Sequence, residues 1–210
     1  MIIMKPWLFD ILACPMDKHF PLKLYIFSYE TELVDFKSFL SKYEQRDLEF
    51  IKNEKIIEII QDEGAYFIKD NVVIEKKSIE MYLKLIVSSI NELDNIIDKS
   101  SLDISKKCFE IALTEIRDKL IEFSKNININ QIDSILPEIY LINKLKIDTE
   151  IESGLLFCEK CNRWFPIIET IPQMLPDEYR DKEKETQFLK TNKDLLDKEF
   201  FNQELKPFNI

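Results

Sequence analysis

Apolar positions change period three times along this chain, and the changes divide it. Pro6 to Ile11 reads as a short helical turn, with Pro6 at a favourable first position and Trp7, Leu8, Ile11 and Leu12 on its apolar side. Phe20 to Phe27 alternates as a strand does, Lys23 facing away from Leu22 and Leu24. From about Thr31 the step lengthens. Thr31–Tyr43 and Glu54–Gln61 read as amphipathic helices, broken near Asn53 and ended at Asp62-Glu-Gly64. Ala65–Glu75 is open between loop and a short hairpin around Asp70-Asn71. Ile79, Leu83, Ile86, Ile90, Leu93 and Ile97 recur at three- and four-residue steps and predict a helix. A second helix is predicted from Asp103, its expected cap, to about Lys125, with Ile104, Cys108, Ala112, Ile116 and Leu120 in register. A third begins near Asn130. These stripes can bury one another as a small bundle.

Period two returns at Glu150–Phe157, and Trp164–Ile168 reads as a further strand. After Pro176 the chain turns strongly charged and ends in a weakly amphipathic helix carrying Phe188, Leu189, Leu195, Leu196, Phe200 and Leu205. The fold expected is α+β. A small zinc-ribbon-like β domain comes from both chain ends, residues 1–28 and 150–180. A helical insertion, 29–149, lies between them, and a helical tail occupies 181–210.

Between the last two strands lie Cys158 and Cys161, a Cys-x-x-Cys pair on a tight turn. Two thiolates presented that way are half of a tetrahedral metal site. The other half is expected from Cys14-Pro-Met-Asp-Lys-His19, the only other plausible donor region. Cys14 supplies one ligand. Its partner is His19, the single histidine, or Asp17 at the x-x spacing; imidazole is the better zinc ligand, which puts His19 first. The plainer account leaves the three cysteines as buried or idle thiols. Cys108, on an apolar helix stripe, reads as core.

Composition narrows the function. Only 2 glycines occur in 210 residues, too few for a phosphate-cradling or adenosyl-methionine loop, so no SAM site of its own is expected. A net charge of −10 disfavours binding nucleic acid across the whole surface. The run from Met1 to Pro15 is interrupted by Lys5 and Asp10, lacks a signal-peptide core, and no run is long enough to span a bilayer; a cytoplasmic protein is expected. Four cysteines then point to metal or buried thiols rather than disulfides. Trp7, Leu8, Ile11, Trp164, Phe165, Ile167, Ile168, Ile171, Met174 and Leu175 are too many large apolar groups for so small a β domain to bury. A protein-binding patch is the functional reading, cover by the helical insert the structural one.

Trp7-Leu-Phe-Asp-Ile-Leu-Ala-Cys-Pro15 followed by Pro21-Leu, and Gly154-Leu-Leu-Phe-Cys-Glu-Lys-Cys with Trp-Phe-Pro-Ile and Ile-Pro-Gln-Met-Leu-Pro176, resemble the TRM-one-twelve family of zinc-binding methyltransferase activators. The resemblance implies a zinc-ribbon-like domain with a helical insertion between two metal knuckles. It implies no catalysis, and heterodimers with Rossmann-fold, SAM-dependent methyltransferases that act on tRNA, rRNA or translation release factors. By position the structural zinc falls to Cys14, Cys158 and Cys161, with His19 or Asp17 as the fourth ligand. The partner-facing residues fall among Trp7, Leu8, Ile11, Leu12, Ile171, Pro172, Met174 and Leu175. The chain departs from the family in a longer insert, a further tail, and Glu169-Thr-Ile-Pro172 in place of a glycine-containing turn. Two rival readings are a stand-alone zinc-ribbon nucleic-acid binder using Lys18, Lys23, Lys160 and Arg163, and a small metal hydrolase with Asp17 as base.

Overall fold

A computed structural model of the protein describes residues 3–209. In chain order the helices and strands are α1 (Pro6–Phe9), β1 (Lys23–Tyr29), α2 (Leu33–Glu44), α3 (Leu48–Asn53), β2 (Glu58–Asp62), β3 (Ala65–Lys69), β4 (Lys77–Ser78) and α4 (Ile79–Glu92). Then come β5 (Ile96–Asp98), α5 (Asp103–Ile111), α6 (Arg117–Lys125), α7 (Leu136–Asn143), β6 (Ile151–Cys158), β7 (Arg163–Ile168), β8 (Ile171–Pro172), α8 (Lys182–Thr191) and α9 (Lys198–Phe201). The fold is α+β with two sheets. Met1 and Ile2, the start of the apolar N-terminal run, lie outside the described residues. No helix among the described residues is long and apolar enough to cross a membrane.

The chain separates into two compact units. One gathers the residues up to Glu30, Asn95–Ser101, and those from Glu150 onward. The other comprises Thr31–Asp94 and Leu102–Thr149. In the second unit α4, α5–α6 and α7 bury their predicted stripes, Ile79, Leu83, Ile86, Ile90, Ile116, Leu120, Ile135 and Ile139 among them. Cys108 is fully buried there, and burial pushes its thiol up to about 12, as a packed cysteine requires. α5 and α6 run on through a π-helical turn at Ala112–Ile116. The expected Asp103 cap is not made; Leu102 holds the cap position and Asp103 sits in the first turn.

Two helix expectations fail. Glu54–Gln61 is not a helix: α3 ends at Asn53, and Glu58–Asp62 is a strand antiparallel to β3. Its Ile59-Ile60 pair is β-branched, which costs rotamer freedom in a helix and suits a pleated sheet. The β2–β3 hairpin closes at Glu63-Gly64, with φ of 49° and 83°, and β3 turns back again to β4 through the expected Asp70-Asn71 region, where the Asp70 N–H donates to the Val73 carbonyl at 3.0 Å. The predicted helix through Ile97 also stops early, at Glu92. Ile96–Asp98 then crosses into the first unit and pairs parallel with β1. There the Asp98 carboxylate accepts from Tyr29 Oη at 2.7 Å and from the Ser100 N–H at 2.9 Å.

The first unit is built on a five-stranded sheet ordered β5-β1-β6-β7-β8. Strand alternation sorts its side chains onto two faces. Leu24, Ile26, Leu156, Phe165 and Ile167 share one core with Met4, Leu8 and Phe9. Phe27, Leu155, Phe157 and Trp164 share the other with Leu189, Leu196, Phe200 and Leu205. The tail is therefore part of this unit and covers a sheet face; its helices are two, α8 and α9, rather than one. Gly154 is needed where β6 crosses β1: a Cβ there would lie 2.5 Å from the Tyr25 carbonyl oxygen.

The turn from β7 to β8 keeps left-handed geometry without glycine. Glu169 and Thr170 have φ of 49° and 65°, between the paired Ile168 and Ile171. Both angles are those of a primed two-residue hairpin. A β-branched residue in that region costs about 1–2 kcal/mol, against about 0.5–1 kcal/mol of chain entropy for glycine. Thr170→Gly is therefore expected to stabilise the protein by about 0.5–1 kcal/mol, read as a higher urea midpoint. A lower midpoint would show that the Thr170 side chain contributes packing that outweighs its backbone strain.

Candidate metal centre

The first loop leaves α1 and doubles back on itself. The Cys14 N–H donates to the His19 carbonyl at 3.0 Å, and the Lys18 N–H donates to the Cys14 carbonyl at 2.9 Å, with Lys18 left-handed at φ 59°. Inside that ring the His19 N–H donates to Asp17 Oδ1 at 3.0 Å. The second loop joins β6 to β7, from Cys158 to its register partner Arg163, and turns through Asn162 at φ 55°. Lys23 of β1 pairs with Glu159 on it.

Together the loops bring Cys14, Asp17, Cys158 and Cys161 into one group whose ligand atoms all lie within 4.8 Å of one another. Cys14 and Cys158 are buried, Asp17 and Cys161 half-buried. The two sequence candidates for the fourth ligand are separated here. Asp17 is in the group and His19 is not, because His19 contributes its backbone to closing the loop.

The donor set fits zinc. A tetrahedral ion with arms of about 2.3 Å has ligand-to-ligand edges of about 3.8 Å. Cys14 Sγ lies 3.7 Å from Cys161 Sγ, and Cys158 Sγ lies 3.7 and 3.8 Å from the two Asp17 oxygens. Three sulfurs and one oxygen are a soft set. Burial pushes the Cys14 thiol up, and burial likewise takes the Cys158 thiol up to about 12. Burial acts upward on the Asp17 carboxyl too, but the His19 N–H, the Cys14 thiol and the Lys160 charge outweigh it and hold the group below its ordinary range. The site thus offers one ready anion and thiols that a cation would deprotonate on binding. An ion held by all four groups would have a filled tetrahedron with no open position, the arrangement of structural rather than hydrolytic sites.

The expected partner-facing residues divide by exposure. Ile11 is 68% exposed and Trp7 40%, with Ile171 and Leu175 also exposed. Leu12, Pro172 and Met174 are half-buried. Leu8 turns inward at 7% and belongs to the core, the side of a four-residue helix that faces the sheet. Trp164, Phe165 and Ile167 are likewise buried, packed with α1 and the tail. Met16 and Phe20, which flank Asp17 and His19, are exposed and were not singled out; nothing in their spacing marks them. Arg163, a basic residue of the sequence, makes a forked contact with Asp177, Nε and Nη2 lying 3.1 and 2.9 Å from Oδ2.

A model of the family described as Trm112p-like protein matches residues 5–169. No curated protein and no solved structure matches the chain. The matched span takes in α1, both cysteine-bearing loops and β7, and it exceeds half of the 210 residues. The chain belongs to the Trm112p-like family.

Proposed function

We propose that this protein is a non-catalytic activating subunit that binds Rossmann-fold, SAM-dependent methyltransferases modifying tRNA, rRNA or translation factors, with a structural zinc at Cys14, Asp17, Cys158 and Cys161. Family membership supports a methyltransferase-activating role in general. The observation that carries the finer reading is the set of exposed apolar residues on and just after α1 and β8, Trp7, Ile11, Ile171 and Leu175. Exposed apolar area of this kind marks an interface. β8 is an edge of its sheet, so a partner strand can extend it. Binding to the folded partner alone would stabilise it by mass action. The nucleic-acid alternative is weakened by charge pairing: Lys23 is matched by Glu159 and Arg163 by Asp177.

Co-purification tests this. The tagged protein, expressed beside candidate methyltransferases, is expected to elute from gel filtration in moderate salt with a stoichiometric Rossmann-fold partner. Ile11→Asp places a charge on the most exposed of these residues and is expected to weaken the complex at least about 30-fold, the range of an interface hot spot. Its melting temperature should stay within a few degrees, since surface changes act weakly on stability. A wild-type protein that elutes alone beside every methyltransferase tried overturns the reading.

A further inference from the structure

The residues directly after Cys161 are tied, one after another, to the C-terminal tail. The Lys206 N–H donates to the Asn162 carbonyl at 2.9 Å, and the Trp164 N–H donates to the Lys206 carbonyl at 3.2 Å. Arg163 and Lys206 form a parallel bridge between these bonds. Trp164 Nε1 donates to the Phe208 carbonyl at 3.1 Å. Arg163 itself is gripped by Asp177. The grip is anchored further back by Arg180, which is buried, donates to the Trp164 carbonyl at 2.7 Å and pairs with Glu185. Its guanidinium lies 5.2 Å from the Trp164 ring and 5.5 Å from that of Phe208. All these tail residues follow residue 169, where the family match ends.

From this geometry we propose that the tail from Asp177 to Phe208 is a clasp that presets the second knuckle, so that metal affinity is governed by residues outside the family-matched span. The inference rests on the reading of the four-residue group as a metal centre. Asn162 and Arg163 form the exit of the loop that aims Cys161, and a loop held before the ion arrives loses less freedom on binding. Arg163 is fixed in turn by the Asp177 carboxylate, which holds that exit in place. Asp177 is thus a positioning residue that acts through Arg163. Partners of this outer kind are worth about 10- to 100-fold in metal affinity.

The test is a Co(II) titration of the metal-stripped full-length chain, followed by the thiolate charge-transfer absorption and closed by Zn(II) competition. Asp177→Ala is expected to weaken Co(II) binding about 10-fold or more, and Asp177→Glu to restore most of it. Lys206→Pro, which deletes the N–H given to Asn162, is expected to act in the same direction. Phe188→Leu, a tail change stacked on Phe27 away from the knuckle, should leave affinity unchanged. Equal affinities for wild type and Asp177→Ala would overturn the clasp while leaving the metal centre standing. An equal loss in Phe188→Leu would overturn it too, since affinity would then track stability. A wild-type chain that takes up no Co(II) would remove the metal centre and the clasp with it.

Discussion

Cys158→Ser is expected to lower Zn(II) and Co(II) affinity by at least about 100-fold and to abolish most of the stabilisation that metal confers. Structural zinc in small domains is bound with an apparent 10–16 kcal/mol shared over four ligands, so losing one thiolate removes several kcal/mol. For a metal held in 1,000-fold excess over its dissociation constant, linkage gives about 4 kcal/mol of stability that a chelator would take away. Two other positions separate the ligand assignments. Asp17→Ala is expected to cost less than the cysteine change, about 10-fold, because water can take a carboxylate's place but is a weaker donor than thiolate. His19→Ala should leave affinity within about twofold, since His19 serves the site through its backbone N–H and carbonyl, which alanine keeps. Metal retained by Asp17→Ala and lost from His19→Ala would reverse the assignment. Competition against a chromophoric chelator, with melting in and out of metal, reads all three.

That contest between Asp17 and His19 shows where sequence reasoning reached and where it stopped. Cys14, Cys158 and Cys161 were legible because strand ends and a tight turn leave few other uses for them. Ligand softness then ranked histidine above aspartate, a sound rule about atoms that says nothing of where a short loop aims them. The Cys14–His19 backbone ring decides that, and it depends on Lys18 taking a left-handed φ that no glycine advertises. Helix stripes from Ile79 to Ile90 were plain, yet Ile97 continued the same step and was a strand residue, since periodicity cannot tell where a helix ends. The tail misled by composition. The charged run from Asp177 to Glu185 holds Arg180 and Glu185, both buried against each other. Only the three-dimensional pairing shows that such charges lie under a sheet rather than outside it.

Trp164→Ala is expected to destabilise the protein by about 3–5 kcal/mol, the range for removing a buried tryptophan from a packed core. Trp164 is fully buried on β7. The change empties the space between the sheet and the tail, and it removes the indole N–H from the Phe208 carbonyl and the ring from over the Arg180 guanidinium. The last loss compounds the first, because the Arg180 side chain is wholly buried and a buried charge without its surroundings is costly. Trp164→Phe keeps most of the apolar volume and forfeits only the hydrogen bond and some packing, so about 1–2 kcal/mol is expected. Trp7→Phe, at an exposed position, should stay within about 0.5 kcal/mol and leaves Trp164 the sole tryptophan as a fluorescence reporter. Urea unfolding of the Trp7→Phe chain then follows tail release directly, while circular dichroism in the same titration supplies the midpoints for the Trp164 variants. A cost below about 1 kcal/mol for Trp164→Ala would mean the tail is not seated on the sheet in solution. The clasp on the second knuckle would fall with it, since Lys206 and Phe208 reach that loop only from the seated tail.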